Sequence, residues 1–442
     1  MNAVFFLIDA SAFFTIMWVV FTLRNYTASR ALVQNIPLFA AIFLFASFVL
    51  WLFSFYDTNQ LKKRMVSYKM LVVAWAVCLL GSSSVIYFTS STLHLPTPKR
   101  LLLAILTLYY IYIYLFRRNY FKLDFAKKNV IVFGQSETIT ALVKELKKSR
   151  GFRVREREEV PDEKKRYSLK NLDLVITGSK LFKENPSCWD IITEQFIAKG
   201  VVVDTDFNVY EGLFRRVSRE SIEDSIWLLR GIGNRREHTL YNTFKRVFDV
   251  GMACLILPFI LPICGLIWLL IRWVDGCDPI FKQKRVGAFG VEFAIYKFRT
   301  ISPKNQESEQ ETLTRTGSFL RRFRLDELPQ IYNVLRGELS FVGPRPLWVG
   351  EYSILNENIP NHNIRTIAKP GITGWAQLNF KAPPNYKTKN GNKSLNEQRS
   401  FDAAFTRFSY DVWYIKNRSI SLDLEIMIKT VIRMFIKDSH VA

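Results

Sequence analysis

The chain has 442 residues, 49% of them hydrophobic and 14% aromatic, which is enough for two or three domains. Its 61 Lys and Arg against 39 Asp and Glu leave a formal net charge of +22, which calls for an anionic partner: nucleic acid, anionic headgroups or phosphorylated substrates. Long apolar runs without a recognition motif exclude the nucleic-acid reading, and 4 His with five cysteines (Cys78, Cys188, Cys254, Cys264, Cys277) at no ligand spacing exclude a zinc site or a disulfide framework.

Four apolar stretches come first, roughly Val4–Leu23, Ile36–Tyr56, Met70–Phe88 and Leu101–Phe116, each near the ~20 residues that span a bilayer as a helix. The first lacks the basic start and small-residue cleavage site of a signal peptide. Asp9 sits near one end of that run, at headgroup level, with no assigned role. Lys62, Lys63 and Arg64 follow the second run, and Arg117, Arg118, Lys122, Lys127 and Lys128 follow the fourth. Arg24 with Arg30, and Lys99 with Arg100, mark the intervening loops. The bias predicts four spans over 1–118 with both ends cytoplasmic.

Residues 127–240 read as α/β. Val130–Phe133 is a strand, Gly134-Gln-Ser136 a turn, and Ile139, Leu142, Val143 and Leu146 form one helical stripe. Leu172–Thr177 and Val201–Asp204 read as further strands, with a helix over Ile191–Ala198. The pattern is Rossmann-like, but its first turn has one glycine where a dinucleotide fingerprint has three, so a structural or regulatory role competes with nucleotide binding.

Val250–Ile271 is a fifth apolar stretch, interrupted by Pro258 and Pro262 and flanked by Lys245-Arg246 and Arg272. Proline removes a backbone donor, and basic residues on both sides place both ends in the cytoplasm. The expectation is a helix–break–helix over about 247–273 that re-enters one leaflet; a kinked spanning helix is the alternative.

Downstream, Tyr296-Lys297-Phe298-Arg299-Thr300 carries two basic groups on one side of the chain. Arg321-Arg322-Phe323-Arg324-Leu325-Asp326-Glu327-Leu328-Pro329-Gln330 leads into a helix that Gly337 can end, with Asp326 expected at the N-cap and Pro329 in the first turn. On spacing alone, a capping Asp with an exposed Glu explains the pair equally well. Phe341-Val342-Gly343-Pro344-Arg345-Pro346 and Lys369-Pro370-Gly371-Ile372-Thr373-Gly374-Trp375 are rigid turns whose Arg, Thr and backbone N–H groups suit phosphate oxygens.

These blocks, with Lys245-Arg246-Val247-Phe248-Asp249, resemble the polyprenyl-phosphate hexose-1-phosphate transferases, the monotopic phosphoglycosyl transferases that initiate bacterial capsule, O-antigen and exopolysaccharide synthesis. The likeness covers about 245–442, and the four spans and degenerate α/β domain resemble the large, membrane-anchored branch. The resemblance implies a multi-domain protein of the bacterial inner membrane: a four-helix transmembrane bundle, a Rossmann-like α/β domain and a mainly α, cytoplasmic catalytic domain with a re-entrant helix hairpin. It implies UDP-sugar, undecaprenyl phosphate and inner-membrane lipids as partners, with a homodimer allowed and no nucleic acid. Asp326 is then the nucleophile, taking sugar-phosphate as a covalent acyl-phosphate and releasing UMP, while Glu327 holds Mg²⁺. Lys297, Arg299, Arg321, Arg345 and Arg365 match basic positions assigned to substrate phosphates, and Pro262 matches the proline of the re-entrant break, with Pro258 one turn before it.

The chain departs from the family at Phe380-Lys381, where Gly-Arg is common, and at Ile301, where Met is common; both bear on sugar choice rather than on the chemistry. Residues 382–400, with Pro383-Pro384 and Asn390-Gly391, read as a mobile loop. Trp413, Tyr414 and the amphipathic end suit either the membrane surface or ordinary packing. Two rivals are a membrane-anchored nucleotide-sugar dehydratase, for which Tyr241 and Lys245 would be the catalytic pair, and a non-enzymatic scaffold of polysaccharide assembly.

Overall fold

The computed structural model describes residues 3–23, 29–52, 55–56, 68–93, 99–120, 128–149, 151–162, 165–229, 232, 235–301, 313–380 and 393–435. The basic positions Arg24, Lys62, Lys63, Arg64, Lys122 and Lys127, and the turn residues Pro383, Pro384, Asn390 and Gly391, lie outside the described residues.

Four helices open the chain: α1 (Ala3–Leu23), α2 (Ser29–Leu52), α3 (Tyr68–Leu93) and α4 (Lys99–Tyr120). α1 packs on α2 and α4, and α3 packs on the same two, closing a ring around aromatic side chains such as Phe13, Phe43 and Tyr109. Among the described residues of this bundle, Phe5–Leu23 is long and apolar enough to cross a bilayer, and Ile36–Trp51, Ala74–Ser84 and Leu102–Arg117 are shorter apolar helices. Asp9 is fully buried rather than at a surface. Its carboxylate meets the guanidinium of Arg117 at 2.6 Å, and a second Arg117 nitrogen donates to the Phe55 carbonyl at 2.6 Å.

The α/β domain is a four-stranded parallel sheet in the order β2-β1-β3-β4, with β1 Lys128–Phe133, β2 Phe152–Glu158, β3 Leu174–Thr177 and β4 Val202–Thr205. The two central strands are the apolar ones, as burial from both faces requires. α5 (Glu137–Lys148) follows β1. Ser136 caps it by accepting from the Ile139 amide at 3.1 Å, and the predicted stripe Ile139, Leu142, Val143 and Leu146 is buried. The predicted helix over Ile191–Ala198 starts earlier, as α6 (Cys188–Gln195), and passes into a short turn. In such a sheet a nucleotide would lie where the loops after β1 and β3 part. Here a Cβ on Gly134 (φ +113°) would stand 2.9 Å from the Ile139 side chain and 3.2 Å from the Gly178 backbone. The Ile139 side chain lies against both of these glycines.

The second compact unit begins at Phe207, ahead of the boundary near 240–245 drawn from the sequence. Val217, Ile222 and Leu228 share a core with Phe408, Val412, Trp413 and Tyr414, so those last two aromatic residues are packed inside. The Val217 amide donates to the Ser409 carbonyl at 3.1 Å, and Asn361 donates to the Ile222 carbonyl at 2.9 Å.

The apolar stretch lies in α7 (Arg235–Leu270), which stays helical through Pro258 and Pro262, so the expected break is absent from the backbone. The prolines are one turn apart, and both are exposed on the face turned away from the rest of the unit. Their missing donors leave carbonyls on that side free while the opposite side remains a continuous ladder. On that opposite side Ala253, Ile256, Leu257 and Ile260 pack with Phe293, Ile295, Ile331 and Val334, and Cys264, Ile267 and Ile271 pack with Phe298 and Leu320. The outward face carries exposed Leu255, Phe259, Leu261, Ile263, Leu266 and Trp268.

Both ends of the apolar stretch are tied to the same unit. Arg246 donates to the Val334 and Leu335 carbonyls at 2.6 and 2.7 Å, Lys245 pairs with Asp423, and Asp249 accepts from the Phe341 amide. At the far end, Thr316 hydrogen-bonds Asp275. Beyond α7 come the hairpin strands β5 (Ile280–Val286) and β6 (Glu292–Phe298), α8 (Arg315–Arg322), α9 (Gln330–Arg336), and the parallel pair β7 (Ser340–Val342) and β8 (Gly371–Thr373). α10 (Lys393–Asn417) and α11 (Ile420–Phe435) close the unit, so residues 393–400 are helical where a loop was expected.

Candidate active site

The site is a cavity of about 710 Å³ between the β5–β6 hairpin, the segment around Asp326 and the turn after β7. It is lined by Phe281, Gln283 and Arg285 from β5, by Lys297 and Arg299 at the end of β6, and by Arg321, Arg324, Asp326, Glu327 and Arg345.

The two carboxylates are not where helix capping would put them. Asp326 and Glu327 lie on a tight 3₁₀ turn, Leu325–Glu327, and α9 starts only at Gln330 with Pro329 as its N-cap. Pro329 has no N–H to donate, so the local bonds run to the residue three back: Leu328 to Leu325, Ile331 to Leu328 and Tyr332 to Pro329. Arg324 enters this turn in the left-handed region, at φ +54°. For a non-glycine residue that costs about 1–2 kcal/mol, strain that the surrounding packing must hold. Gly337 ends α9 as expected, its amide reaching the Asn333 and Val334 carbonyls.

Electrostatics set the carboxylates apart. Burial, and then the neighbouring Glu327, push the Asp326 carboxyl above its ordinary value, while Lys297 and Arg321 pull it back down. Glu327 accepts from Lys297 at 3.4 Å. Burial lowers the Lys297 ammonium, which Glu327 opposes and Arg345 reinforces. The other basic groups are held by neutral acceptors. Arg299 donates to the Asp278 carbonyl at 2.8 Å and Arg321 to the Thr300 hydroxyl at 2.9 Å.

Arg345 is presented by two interlocked turns. A Cβ on Gly343 would lie 2.2 Å from the Lys369 carbonyl, and one on Gly371 would lie 2.1 Å from the Gly343 nitrogen. The Gly-Pro-Arg-Pro and Lys-Pro-Gly segments therefore touch backbone to backbone. Arg365, grouped with the phosphate binders on sequence, does not line the cavity. It is buried, pairs with buried Asp411 at 3.0 Å and donates to the Arg345 carbonyl at 2.8 Å. It supports the Arg345 turn from behind. Pro258 and Pro262 lie on α7, also outside the cavity. Sequence reasoning missed Gln283 and Arg285, although both alternate with Phe281 on one face of the strand that pairs with β6.

Two carboxylates, Asp326 and Glu327, line the cavity and could contribute to a Mg²⁺ site. Asp326 and Glu327 offer adjacent hard oxygens, and no group of three or more potential ligands occurs among the described residues, so the remaining ligands would be substrate phosphate and water.

Residues 240–437 match the family described as bacterial sugar transferase. The uncharacterized sugar transferase EpsL of Bacillus subtilis is 35% identical over 199 residues, which cover 44% of this chain and 88% of that protein. The UDP-glucose:undecaprenyl-phosphate glucose-1-phosphate transferase of Klebsiella pneumoniae is 36% identical over 203 residues, 44% of this chain and 41% of that one. The UDP-N-acetylgalactosamine-undecaprenyl-phosphate N-acetylgalactosaminephosphotransferase of Aeromonas hydrophila is 32% identical over 209 residues, 45% of each. The matched stretch thus spans less than half of the two larger relatives and nearly all of the small one. The family match covers the residues that carry the Asp326–Glu327 cavity, and the chain belongs to the bacterial sugar transferases, the polyprenyl-phosphate hexose-1-phosphate transferase family.

Proposed function

We propose that the protein transfers sugar-1-phosphate from a UDP-sugar to undecaprenyl phosphate, releasing UMP, at the start of surface polysaccharide synthesis. The observation that carries this reading is the pair Asp326 and Glu327 inside a cavity of about 710 Å³ that Arg285, Lys297, Arg299, Arg321, Arg324 and Arg345 also line. An Asp326 oxygen attacks the sugar-bearing phosphorus, and the bond to the bridging oxygen breaks with its electron pair leaving on UMP. An oxygen of undecaprenyl phosphate then attacks the same phosphorus and frees the carboxylate. Glu327, with Asp326 beside it, would hold Mg²⁺, which neutralises diphosphate charge when bound. Lys297, Arg299, Arg321 and Arg345 line the same cavity and would meet the phosphates.

Purified protein given undecaprenyl phosphate and a panel of UDP-sugars should release UMP with one of them. Excess chelator should abolish release and Mg²⁺ restore it, and Glu327→Gln should need at least ~10-fold more Mg²⁺ or fail. Release at full rate in chelator would remove the metal from this account. The dehydratase reading has little support: Tyr241 and Lys245 both bond Asp423.

The same reading places four spans in the inner membrane and the catalytic unit in the cytoplasm. Asp9 near the start of α1 meets Arg117 near the end of α4, so both ends of the bundle share one side. From Ala253 to Ile271 the packed stripe of α7 runs roughly 27 Å, about the depth of a bilayer core. α7 is long and apolar enough to cross a bilayer, but Val217, Ile222 and Leu228 before it share a core with Phe408, Val412 and Trp413 after it, which favours one-sided insertion. Cysteines placed singly at Arg219 and Glu357, with the native cysteines replaced, should react with an impermeant reagent from the cytoplasmic side only. Reaction of Glu357→Cys from the periplasmic side would show that α7 spans.

A further inference from the structure

Two neutral side chains of the cavity have no role in the account above. Phe281 and Gln283 alternate with Arg285 on one face of β5, and all three line the cavity. The other aromatic residue of the lining, Phe298, is buried in the core beneath it, whereas Phe281 is half-buried. Arg299 stands over the Phe281 ring, 5.9 Å from its centroid, while its Nε donates to the Asp278 carbonyl at 2.8 Å. Gln283 is fixed in orientation by its neighbour. A guanidinium has donors and no acceptor, so the amide atom that meets Arg285 must be the oxygen, and Arg285 donates to Gln283 Oε1 at 2.5 Å. The same guanidinium is held at a second nitrogen by the Pro346 carbonyl at 3.2 Å. Among the described residues the Gln283 amide nitrogen has no hydrogen-bond partner. The strand thus offers an aromatic ring and, two residues or about 6.8 Å further along, an amide that presents N–H.

We propose that Phe281 and Gln283 form the nucleobase subsite of the cavity, Phe281 stacking on the base and Gln283 selecting uracil through its 4-oxo group. This rests on the transfer reading given above and names the residues that read the nucleotide. A diphosphate carries the same charge whatever its base, so the cations cannot tell a UDP-sugar from a CDP-sugar. Stacking cannot either, because every base has a π-face; it supplies about tenfold or more in affinity to any of them. Uracil and cytosine differ at ring position 4, where uracil has an accepting oxygen and cytosine a donating amino group. An amide whose oxygen is engaged by Arg285 offers N–H to the first and meets the second donor to donor. A sugar hydroxyl both donates and accepts, so it would gain nothing from an amide pinned one way round. Gln283 is thereby a specificity-determining residue, and Arg285, acting through it, a positioning residue.

The test uses the full chain in detergent or nanodiscs and measures binding of UMP and CMP by calorimetry, with transfer assayed alongside. The two probes share ribose and phosphate, so their affinity ratio reports the base alone. Wild type should bind UMP at least ~10-fold more tightly than CMP. Gln283→Glu sets an acceptor where the donor was, beside the same Arg285, and should bring that ratio to one or below. Gln283→Leu offers neither and should bring it to within about twofold of one. If Gln283→Glu melts early, the Leu variant decides. Phe281→Leu should weaken UMP and CMP by one common factor, roughly fivefold or more, and leave the ratio as in wild type. Equal binding of UMP and CMP to wild type overturns the proposal, as does a ratio that both Gln283 variants preserve. Variants that keep the ratio but change which UDP-sugar is used would assign the pair to the sugar instead, which also overturns it. Wild type that transfers but shows no base preference leaves the transfer reading intact and removes the subsite. Wild type that prefers UMP but transfers nothing does the reverse.

Discussion

Replacing Asp326 by Asn lowers transfer by roughly 10³- to 10⁶-fold, the range seen when a nucleophile is removed, and raises thermal stability at neutral pH. Both effects come from the same surroundings. The 3₁₀ turn holds Asp326 in a partly desolvated wall, and burial followed by Glu327 lifts its carboxyl above the ordinary carboxylate range. A raised folded-state value means that folding disfavours the ionised form. The penalty is therefore present above the folded value and relieved as pH falls through it. Asn carries no charge and escapes the penalty, so the variant should melt later than wild type at pH 7, with the gap closing in acid. With Asp326 as the proposed nucleophile, attacking in its ionised form, the wild-type rate should fall on the acid side at a higher pH than a free Asp would give. Unfolding scans and a pH–rate profile check both. A variant that keeps activity, or that melts earlier at pH 7, contradicts the assignment.

Removing the charge behind Arg345 should cost stability instead. Asp411→Asn leaves the Arg365 guanidinium buried without its counter-charge, and breaking such a pair costs about 3–5 kcal/mol. The tryptophans Trp375 and Trp413, 5.1 Å apart in the same core, make fluorescence a direct report of this unit's unfolding in denaturant. Arg365→Met with Asp411→Leu removes both charges and should regain most of the stability. It should not regain full activity, because the bond from Arg365 to the Arg345 carbonyl is gone and the arginine turn loses its support. Stability and KM should therefore separate in the double variant. A double variant with normal KM would show that the Gly343–Gly371 contact alone fixes that turn.

The catalytic unit was largely legible in the sequence because its rigid turns are written in proline and glycine, whose backbone demands survive any context. Lys297, Arg299, Arg321, Asp326, Glu327 and Arg345 do meet in one cavity. Arg365 was misplaced since burial cannot be read from an isolated arginine; its partner Asp411 lies 46 positions away on another helix. Strand β2 was missed because Phe152-Arg153-Val154-Arg155-Glu156-Arg157-Glu158 is an edge strand whose alternate positions face solvent. The break in α7 was expected from Pro258 and Pro262, but four-residue spacing puts both rings on one exposed face, and packing along the other face preserves the helix.

The pairing of Asp9 with Arg117 also has a meaning in time. The two are 108 positions apart, and at about 5–20 residues per second the ribosome needs roughly 5–20 s to supply the second after the first. On the membrane reading proposed above, α1 carries through that interval a carboxylate whose counter-ion does not yet exist, and a bare charge in hydrocarbon is costly. On that reading the first helix has reason to wait in the insertion machinery until the fourth emerges.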